Sequence, residues 1–384
     1  MAKRFGFISL VMLALWAMPT AAFAYPQYIA HGYASCGSCH YSPDGGGLLN
    51  AYGVAVTQAL VPDEIDAGFV TSLRETLQKK IVIGENDNGE SAFQWDIGLE
   101  SRQLLVEAVT ETGGDKELYF IPMLLEVQGV AAWGDWTAYG SVTPKKIGTG
   151  TSDMYAHSRH HWLQYKHSDE LSVRAGKLAL PFGTRTPDHT VFTRQRLGFE
   201  KYSQSYGIQL DWNSENISIA AMGFGGKAPW KNAAMQEKGV SATAAYLLPA
   251  RAAFGLSALY GKTAFNQRLV SGVFGRIKAL GKSYVLLEAD YQRRLNDSES
   301  QSEIVAYARL GWFVREWFDL YGEFQRVHVL NHPGTMNRPP HEMAFNIGSN
   351  LQILPWMEII PGMRFVEQDT GYDLAAMFQV HIIY

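Results

Sequence analysis

The residues of this chain with the clearest chemistry are two cysteines and a histidine in the stretch Cys36-Gly37-Ser38-Cys39-His40. These are the only 2 cysteines among 384 residues. C-x-x-C-H is the attachment pattern of c-type haem, because two intervening residues let one turn of chain bring both thiols to the two vinyl groups of a porphyrin. The next residue then falls beneath the iron. The motif predicts one covalent haem c on Cys36 and Cys39, with His40 as proximal iron ligand.

Three other uses of the cysteine pair fit the sequence less well. A thioredoxin-like pair belongs between a strand and a helix of a βαβ unit, and the surrounding sequence shows no such pattern. A structural zinc site takes four ligands, whereas only His31 and His40 lie nearby. A disulfide that closes so small a loop would stabilise the chain little. Haem attachment is therefore the favoured interpretation.

The start of the chain indicates where the motif is delivered. Lys3 and Arg4 precede a short apolar run, FGFISLVMLALWAM, which is followed by a small-x-small site at residues 22–24. The run is shorter than the roughly 20 residues that span a bilayer. Residues 1–24 are therefore predicted to be a cleaved signal peptide, the alternative being an uncleaved anchor. The mature chain is expected to leave the cytoplasm.

Charge and hydropathy argue against a nucleic-acid-binding protein and against a protein with membrane-spanning helices. Asp and Glu number 37 and Lys and Arg 33, a formal net charge of −4, and no basic block suggests a nucleic-acid partner. Beyond Tyr25 no apolar run is long enough for a membrane helix. The fold must be sought in shorter segments.

From residue 92 onward the chain alternates apolar and polar residues with period two. In the last segment, YDLAAMFQVHIIY, Leu374, Phe378 and Ile382 share one face, and Asp373 and His381 lie on the other. About sixteen such segments are predicted as strands. They start near residues 92, 117, 133, 158, 171, 204, 216, 239, 251, 266, 282, 302, 316, 342, 356 and 372. A soluble sandwich would show the same alternation.

The connections favour a membrane barrel over a sandwich. Long and short connections alternate, and an even strand count with short turns on one side is typical of bacterial outer-membrane barrels. Aromatics near strand ends fit interfacial girdles: Trp133, Trp136, Trp162, Trp317 and Trp356. Residues 92–384, which end on Tyr384, are therefore predicted to form an all-β transmembrane barrel of about 16 antiparallel strands. It would lie in the lipid of the cell outer membrane, with its short turns in the periplasm.

The segment between signal peptide and barrel, residues 25–91, is too small to hold much of a core alone. Helices are predicted at 48–60 and 64–80. We expect this small helical haem-c segment to plug the barrel lumen. No methionine lies between His40 and Met123, so the sixth iron ligand stays open between His31, a lumen residue and an empty position. His31 is a candidate because the five residues to Cys36 span about 16 Å when extended.

In its order of parts the chain resembles the monohaem cytochrome–porin fusions of the bacterial outer membrane, which include the iron-oxidising outer-membrane cytochromes. The resemblance rests on the signal peptide, the single C-x-x-C-H, an L-N-x-aromatic-G segment (Leu49, Asn50, Tyr52, Gly53) and the barrel. It implies a lumen haem that carries electrons between a periplasmic carrier and an extracellular donor or acceptor. Ferrous iron, and an iron oxidase-like activity, would follow from the iron-oxidising members. The stretch YSPDGGG after His40 departs from them and leaves that partner open.

The connection at residues 181–203 is the third on the long-loop side and carries several cations. Since loops are usually exposed, a solvated surface loop is the favoured interpretation. If it folds inward instead, as the third loop of general porins does, it brings Arg185, His189, Arg194 and Arg196 into the lumen. Arginine forks suit carboxylates, so Arg194 and Arg196 are candidate contacts for the haem propionates.

Two functions remain after these observations. In the first the protein is an electron conduit through a lumen haem, which the family resemblance favours. In the second it is a diffusion porin whose haem-bearing plug gates or senses. Nothing in the sequence identifies the direction of electron flow.

Overall fold

The computed structural model describes most of the chain beyond the predicted signal peptide. The described residues are 26–33, 36–43, 45–60, 81–85, 91–110, 116–146, 154–186, 188, 190–199, 203–227, 233–296, 300–331, 341–354, 356–368 and 371–383. The predicted signal peptide, the second predicted helix at 64–80, His189 and Tyr384 lie outside them.

The described elements are mostly strands. The helices are α1 (Ala51–Leu60), α2 (Phe192–Gln195) and two 3-10 helices at Pro26–His31 and Ala233–Met235. The first strands are β1 (Ile81–Glu85), β2 (Ser91–Thr110), β3 (Lys116–Trp133), β4 (Trp136–Lys146), β5 (Met154–His157), β6 (His161–Lys166), β7 (Leu171–Leu178), β8 (Ser205–Asn213) and β9 (Ile217–Phe224). The remaining strands are β10 (Lys238–Leu248), β11 (Ala252–Lys262), β12 (Asn266–Lys278), β13 (Ser283–Asn296), β14 (Ser300–Arg315), β15 (Phe318–Asn331), β16 (His341–Leu354), β17 (Met357–Gln368) and β18 (Gly371–Ile383).

Sixteen of these strands close into one antiparallel barrel. Each of β2, β3, β4 and β6 through β18 pairs with its neighbours in chain order, and β18 pairs back with β2, with Ile383 opposite Glu100. Closure satisfies the ladder hydrogen bonds of every strand, which a bilayer requires because it offers no water to an open edge. The predicted fold class is confirmed.

Two short strands extend this ring. β5 pairs with β4, next to the stretch of β4 that pairs with β6. β1 pairs with residues 91–95 of β2, on the edge that β18 occupies farther along. The alternation did not predict β1, which falls within the segment assigned to the cytochrome.

The two faces of the barrel have opposite polarity. On β13, Leu287 points outward and is 44% exposed, whereas its neighbours Glu288 and Asp290 point into the lumen and are buried. On β11, Phe254 and Leu256 are likewise exposed on the outside. An apolar exterior around a charged interior suits lipid outside and polar contents inside. Of the helices that the structure describes, none is long and apolar enough to cross a membrane.

Two details of the barrel differ from the sequence prediction. Trp162 was assigned to an interfacial girdle, but it faces the lumen, where it is buried and stacks on Tyr139 with centroids 5.2 Å apart. The sequence RRLNDSESQ, residues 293–301, is predicted from its composition to be a long connection, but β13 continues to Asn296 and β14 begins at Ser300. Strand ends rich in Arg, Asn and Ser resemble loops when only hydrophobic alternation is counted.

Candidate cofactor site in the barrel lumen

The C-x-x-C-H stretch forms a single helical turn. The backbone N–H groups of Cys39 and His40 both donate to the carbonyl of Cys36, each at 3.2 Å. Cys39 is buried, Cys36 is half-buried, and neither of these two described cysteines is in a disulfide. Burial, and then the nearby Cys36, raise the pKa of the Cys39 thiol to about 12. One turn thus presents two sulfurs followed at once by the imidazole.

The His40 ring is oriented by a carbonyl group. Its Nδ1 lies 3.0 Å from the carbonyl oxygen of Gly47. Because a carbonyl can only accept, Nδ1 must carry the proton, and Nε2 keeps its lone pair. Burial lowers the pKa of His40 to about 4, so the ring is neutral at neutral pH. A neutral imidazole with Nδ1 engaged is the form that ligates haem iron.

The L-N-x-aromatic-G segment holds this turn in place. Asn50 donates from Nδ2 to the Ser38 carbonyl at 2.9 Å, and its backbone N–H donates to the Cys39 carbonyl at 2.8 Å. Its Oδ1 accepts from the N–H of Gly53 at 2.9 Å, which caps α1. A Cβ at Gly53 would collide with the Cys39 carbonyl oxygen, so only glycine allows this approach. The L-N-x-aromatic-G segment therefore positions the C-x-x-C-H turn, a role that the sequence alone does not reveal.

His31 lies against the barrel wall at the short-turn end. Its Nδ1 is 3.0 Å from Oε2 of Glu316, and its ring meets Phe313 edge-on at 4.3 Å between centroids. Burial lowers the pKa of His31 to about 4, although Glu316 opposes that shift. Its Nε2 is buried without a hydrogen-bond partner. A ligand role for His31 stays a prediction.

The described residues between Pro26 and Leu60, which include these side chains, pack inside the barrel. Tyr28 stacks on Phe313 of β14 with centroids 5.8 Å apart, and Gln94 of β2 donates to the Tyr41 hydroxyl at 2.9 Å. Leu48 packs in the lumen with Val130 and other inward-facing residues. These contacts join the segment to strands β2, β3 and β14 of the barrel wall. The C-x-x-C-H turn therefore lies within the lumen.

The third loop also folds into the lumen, and the favoured prediction of a solvated loop is wrong. Thr184 N–H donates to Oε2 of Glu288 on β13 at 3.0 Å, and Phe192 N–H donates to Oε1 of Gln325 on β15 at 2.8 Å. Arg364 of β17 donates to the Thr190 carbonyl at 3.2 Å. Polar side chains on the inner wall thus satisfy the loop's backbone, which removes the usual reason for a loop to stay in water.

The two arginines predicted as propionate contacts have different surroundings. Arg196 is buried and forms an ion pair with Glu342 at 3.1 Å, so the barrel wall neutralises it. Arg194 lies 6.0 Å above the Phe199 ring and interacts with Arg185 and Glu288. Burial, and then Arg185, lower the pKa of Arg194 to about 10, which leaves it charged at neutral pH. Of the two, Arg194 is the better candidate for an anionic ligand, because Arg196 is already in an ion pair with Glu342.

Sequence reasoning missed two groups that face the site. Arg276 of β12 interacts electrostatically with Cys36, and its Nε is buried without a hydrogen-bond partner. His381 of β18 is buried between Glu358 at 2.5 Å and Glu100 at 3.3 Å, and Glu100 interacts with His40. Strand alternation contained the signal for both, because Arg276 shares a face with buried Phe274 and His381 lies on the polar face of the last strand.

The residues present fit a covalent haem. The turn presents two thiols and an imidazole whose Nε2 is left for a metal, and two buried nitrogens, on His31 and Arg276, lack hydrogen-bond partners. Within the part of the chain that the structure describes, no group of three or more His, Cys, Asp or Glu side chains could hold a separate metal ion.

The closed barrel with an apolar exterior defines an outer-membrane β-barrel, and solved structures share this fold. OmpT of Vibrio cholerae matches with a TM-score of 0.61 at 11% identity, over 79% of this chain and 100% of that one. An anion-selective porin from Comamonas acidovorans matches with a TM-score of 0.57 at 8% identity, over 76% and 100%. The outer membrane channel DcaP of Acinetobacter baumannii matches with a TM-score of 0.56 at 8% identity, over 79% and 100%. No family model and no curated protein sequence matches the chain.

Proposed function

We propose that this protein is an outer-membrane electron conduit in which Cys36, Cys39 and His40 hold one haem c inside the barrel. Bound there, the haem supplies a one-electron carrier. The position of the C-x-x-C-H turn in the lumen carries the proposal, because Tyr28, Tyr41 and Leu48 on either side of the turn contact the inner wall on several strands. A hydrocarbon core of about 30 Å separates the two aqueous sides, so a single carrier serves both only from within the barrel.

Each residue of the turn has a defined role in this proposal. The thiols of Cys36 and Cys39 would hold the haem by adding across its two vinyl groups, each forming a sulfur–carbon bond while the thiol hydrogen goes to the other vinyl carbon, with nothing released. His40 offers Nε2 while Gly47 holds Nδ1–H. Asn50 and Gly53 keep the turn seated against α1. The partners are a periplasmic electron carrier and an extracellular donor or acceptor, for which the family resemblance suggests ferrous iron.

A diffusion porin with a haem-bearing plug is the second candidate. It is supported by the fold, which is shared with a protein described as an anion-selective porin and with one described as an outer membrane channel. The inward third loop, with Arg185 and Arg194 in the lumen, would suit a constriction that favours anions. The packed segment between Pro26 and Leu60 argues against wide solute flow.

Liposomes that enclose a reducible dye separate the two candidates. With an impermeant reductant outside, the haem-loaded barrel should reduce the dye, and a Cys36→Ala/Cys39→Ala barrel should not. Solute leak, measured by liposome swelling in a small sugar, should stay equal or grow in the variant as the plug loosens. If dye reduction is the same in both barrels and follows the leak, the conduit proposal is wrong and the porin takes its place.

A further inference from the structure

The short-turn end of the barrel is divided into two sectors of opposite charge. We define the basic sector as the turns β10–β11, β12–β13 and β14–β15 with the strand residues that adjoin them. Its cations are Arg251, Lys278, Lys282 and Arg315, and its anion is Glu316. We define the acidic sector as the turns β3–β4, β6–β7 and β8–β9, whose anions are Asp135, Asp169, Glu170 and Glu215 and whose cation is Lys166.

The charges of the basic sector lie where a partner can reach them. Arg251, Lys282 and Arg315 are exposed, and Glu316 bonds Lys282 and His31, so it offsets only part of the positive charge. The backbone N–H of Lys278 donates to the Arg251 carbonyl at 2.7 Å, which ties two of the turns together. The sector therefore carries an excess of exposed positive charge on neighbouring turns.

The basic sector is also where the lumen segment contacts the rim. A Cβ at Gly32 would lie 3.2 Å from the Ala250 side chain in the β10–β11 turn. His31 contacts Glu316 in the β14–β15 turn and interacts with Lys278 and Lys282. Cys36 follows Gly32 by four residues along the chain. A protein bound at this sector would thus contact the rim beside the segment that carries the C-x-x-C-H turn.

We propose that the basic sector is a docking surface for a soluble redox protein with an acidic face. The inference rests on the proposed function, since it assigns a surface to the periplasmic partner. Complementary charge raises association rates by 10-fold or more over a neutral surface. The acidic sector repels the same partner, so the two sectors together fix its orientation over the lumen segment. Short turns of such barrels lie in the periplasm, where a soluble carrier has access.

Binding of a defined probe tests the docking surface. Full-length protein in a zwitterionic micelle is titrated with an acidic monohaem cytochrome c and, separately, with a basic one. Arg251→Glu/Arg315→Glu should weaken binding of the acidic cytochrome about tenfold or more and strengthen binding of the basic one. Rising salt should remove the difference. Arg251→Gln/Arg315→Gln should fall between wild type and the reversal, and heat-modifiability should show that each barrel is folded.

The matched control changes the same amount of charge elsewhere. Lys238→Glu/Lys262→Glu places both reversals at the opposite end of the barrel, where exposed Lys238 begins β10 and exposed Lys262 ends β11. It should leave binding of the acidic cytochrome within about twofold of wild type, because neither residue adjoins the basic sector. An equal loss in control and test variants would reduce the effect to net charge and overturn the proposal.

Two further measurements keep docking separate from electron transfer. The Cys36→Ala/Cys39→Ala barrel should bind the acidic cytochrome as wild type does, while stopped-flow electron exchange should be lost. Sector-dependent binding without electron exchange in wild type would contradict the conduit and leave the docking surface standing. If Arg251→Glu/Arg315→Glu leaves cytochrome binding unchanged and alters only retention of phosphatidylglycerol, the cations are lipid contacts and the docking inference is wrong.

Discussion

The Nδ1 atom of His40 lies 3.0 Å from the carbonyl oxygen of Gly47, and that single hydrogen bond sets which ring nitrogen keeps its lone pair. Gly47 has a φ of +68°, which only glycine adopts at little cost. The side chains of Gln128 and Tyr139 from the barrel wall lie next to Gly47. The barrel wall and the segment that carries His40 therefore meet at Gly47, the residue whose carbonyl orients the His40 ring.

Gly47→Ala should disturb the haem more than Gly46→Ala. Both positions have positive φ, +68° and +74°, so both changes cost about 1–2 kcal/mol of backbone strain. A Cβ at Gly47 would lie 2.5 Å from Gln128 and Tyr139 oxygens, whereas one at Gly46 would meet nothing within 4 Å. We expect a shifted haem potential and weaker ligation in Gly47→Ala, measured by redox titration with optical spectra. Identical spectra in the two variants would remove the role of the carbonyl.

The chain should carry one covalent haem. Purified from outer membranes, the protein should keep a haem stain after denaturing electrophoresis, because thioether bonds survive denaturant. Cys36→Ala/Cys39→Ala should lose the stain, and His40→Ala should keep it with altered spectra, since its ligand bond is not covalent. A wild-type band without stain would end the haem interpretation.

Asn50 variants should separate the contributions of its two side-chain hydrogen bonds. Asn50→Asp keeps the oxygen that accepts from Gly53 but loses the donor to the Ser38 carbonyl, and Asn50→Ala loses both. Each lost bond should cost about 1 kcal/mol of segment stability. We expect haem incorporation to fall in the order wild type, Asp, Ala, as measured by haem absorbance per barrel. Equal incorporation in Asp and Ala would show that the cap bond contributes nothing.

Arg276→Gln should lower the haem potential. A cation near the iron disfavours the ferric state, which carries one more positive charge, so its removal favours oxidation; the shift should be on the order of tens of mV. Arg194→Gln should act in the same direction, and Arg196→Gln less, because Glu342 already neutralises Arg196. Arg326→Gln, which removes an exposed charge from β15, is the control and should leave the potential unchanged. A shift in the control equal to that in Arg276→Gln would refute a local effect.

The third loop should be protected on intact cells. A protease site inserted next to Asp188 should resist cleavage from outside, because the adjoining backbone at Thr184 and Phe192 is bonded to the inner wall. A site inserted beside Phe265, which is 54% exposed in the β11–β12 connection at the long-loop end, should be cut. Cleavage at Asp188 with protection at Phe265 would contradict both the loop position and the orientation of the barrel.

Much of the architecture was determined by local patterns in the sequence. Sixteen strands began within a few residues of their predicted starts because side chains of a strand alternate between lipid and lumen, which leaves a direct record in residues such as Leu287 and Glu288. The C-x-x-C-H motif is likewise read from spacing along the chain, because two thiols and a ligand must share one turn, and the haem that it predicts stays a prediction.

Only the tertiary structure decided what meets across the lumen. The inward course of the third loop depends on Glu288 and Gln325, about 100 residues or more farther along the chain, whose side chains replace water for the loop backbone. The pairing of Arg196 with Glu342, the approach of Arg276 to Cys36 and the burial of Trp162 depend in the same way on ring closure. Alternation tells which side chains point inward, but not which of them face one another. Those partners depend on strand register and barrel circumference, which are properties of the closed ring.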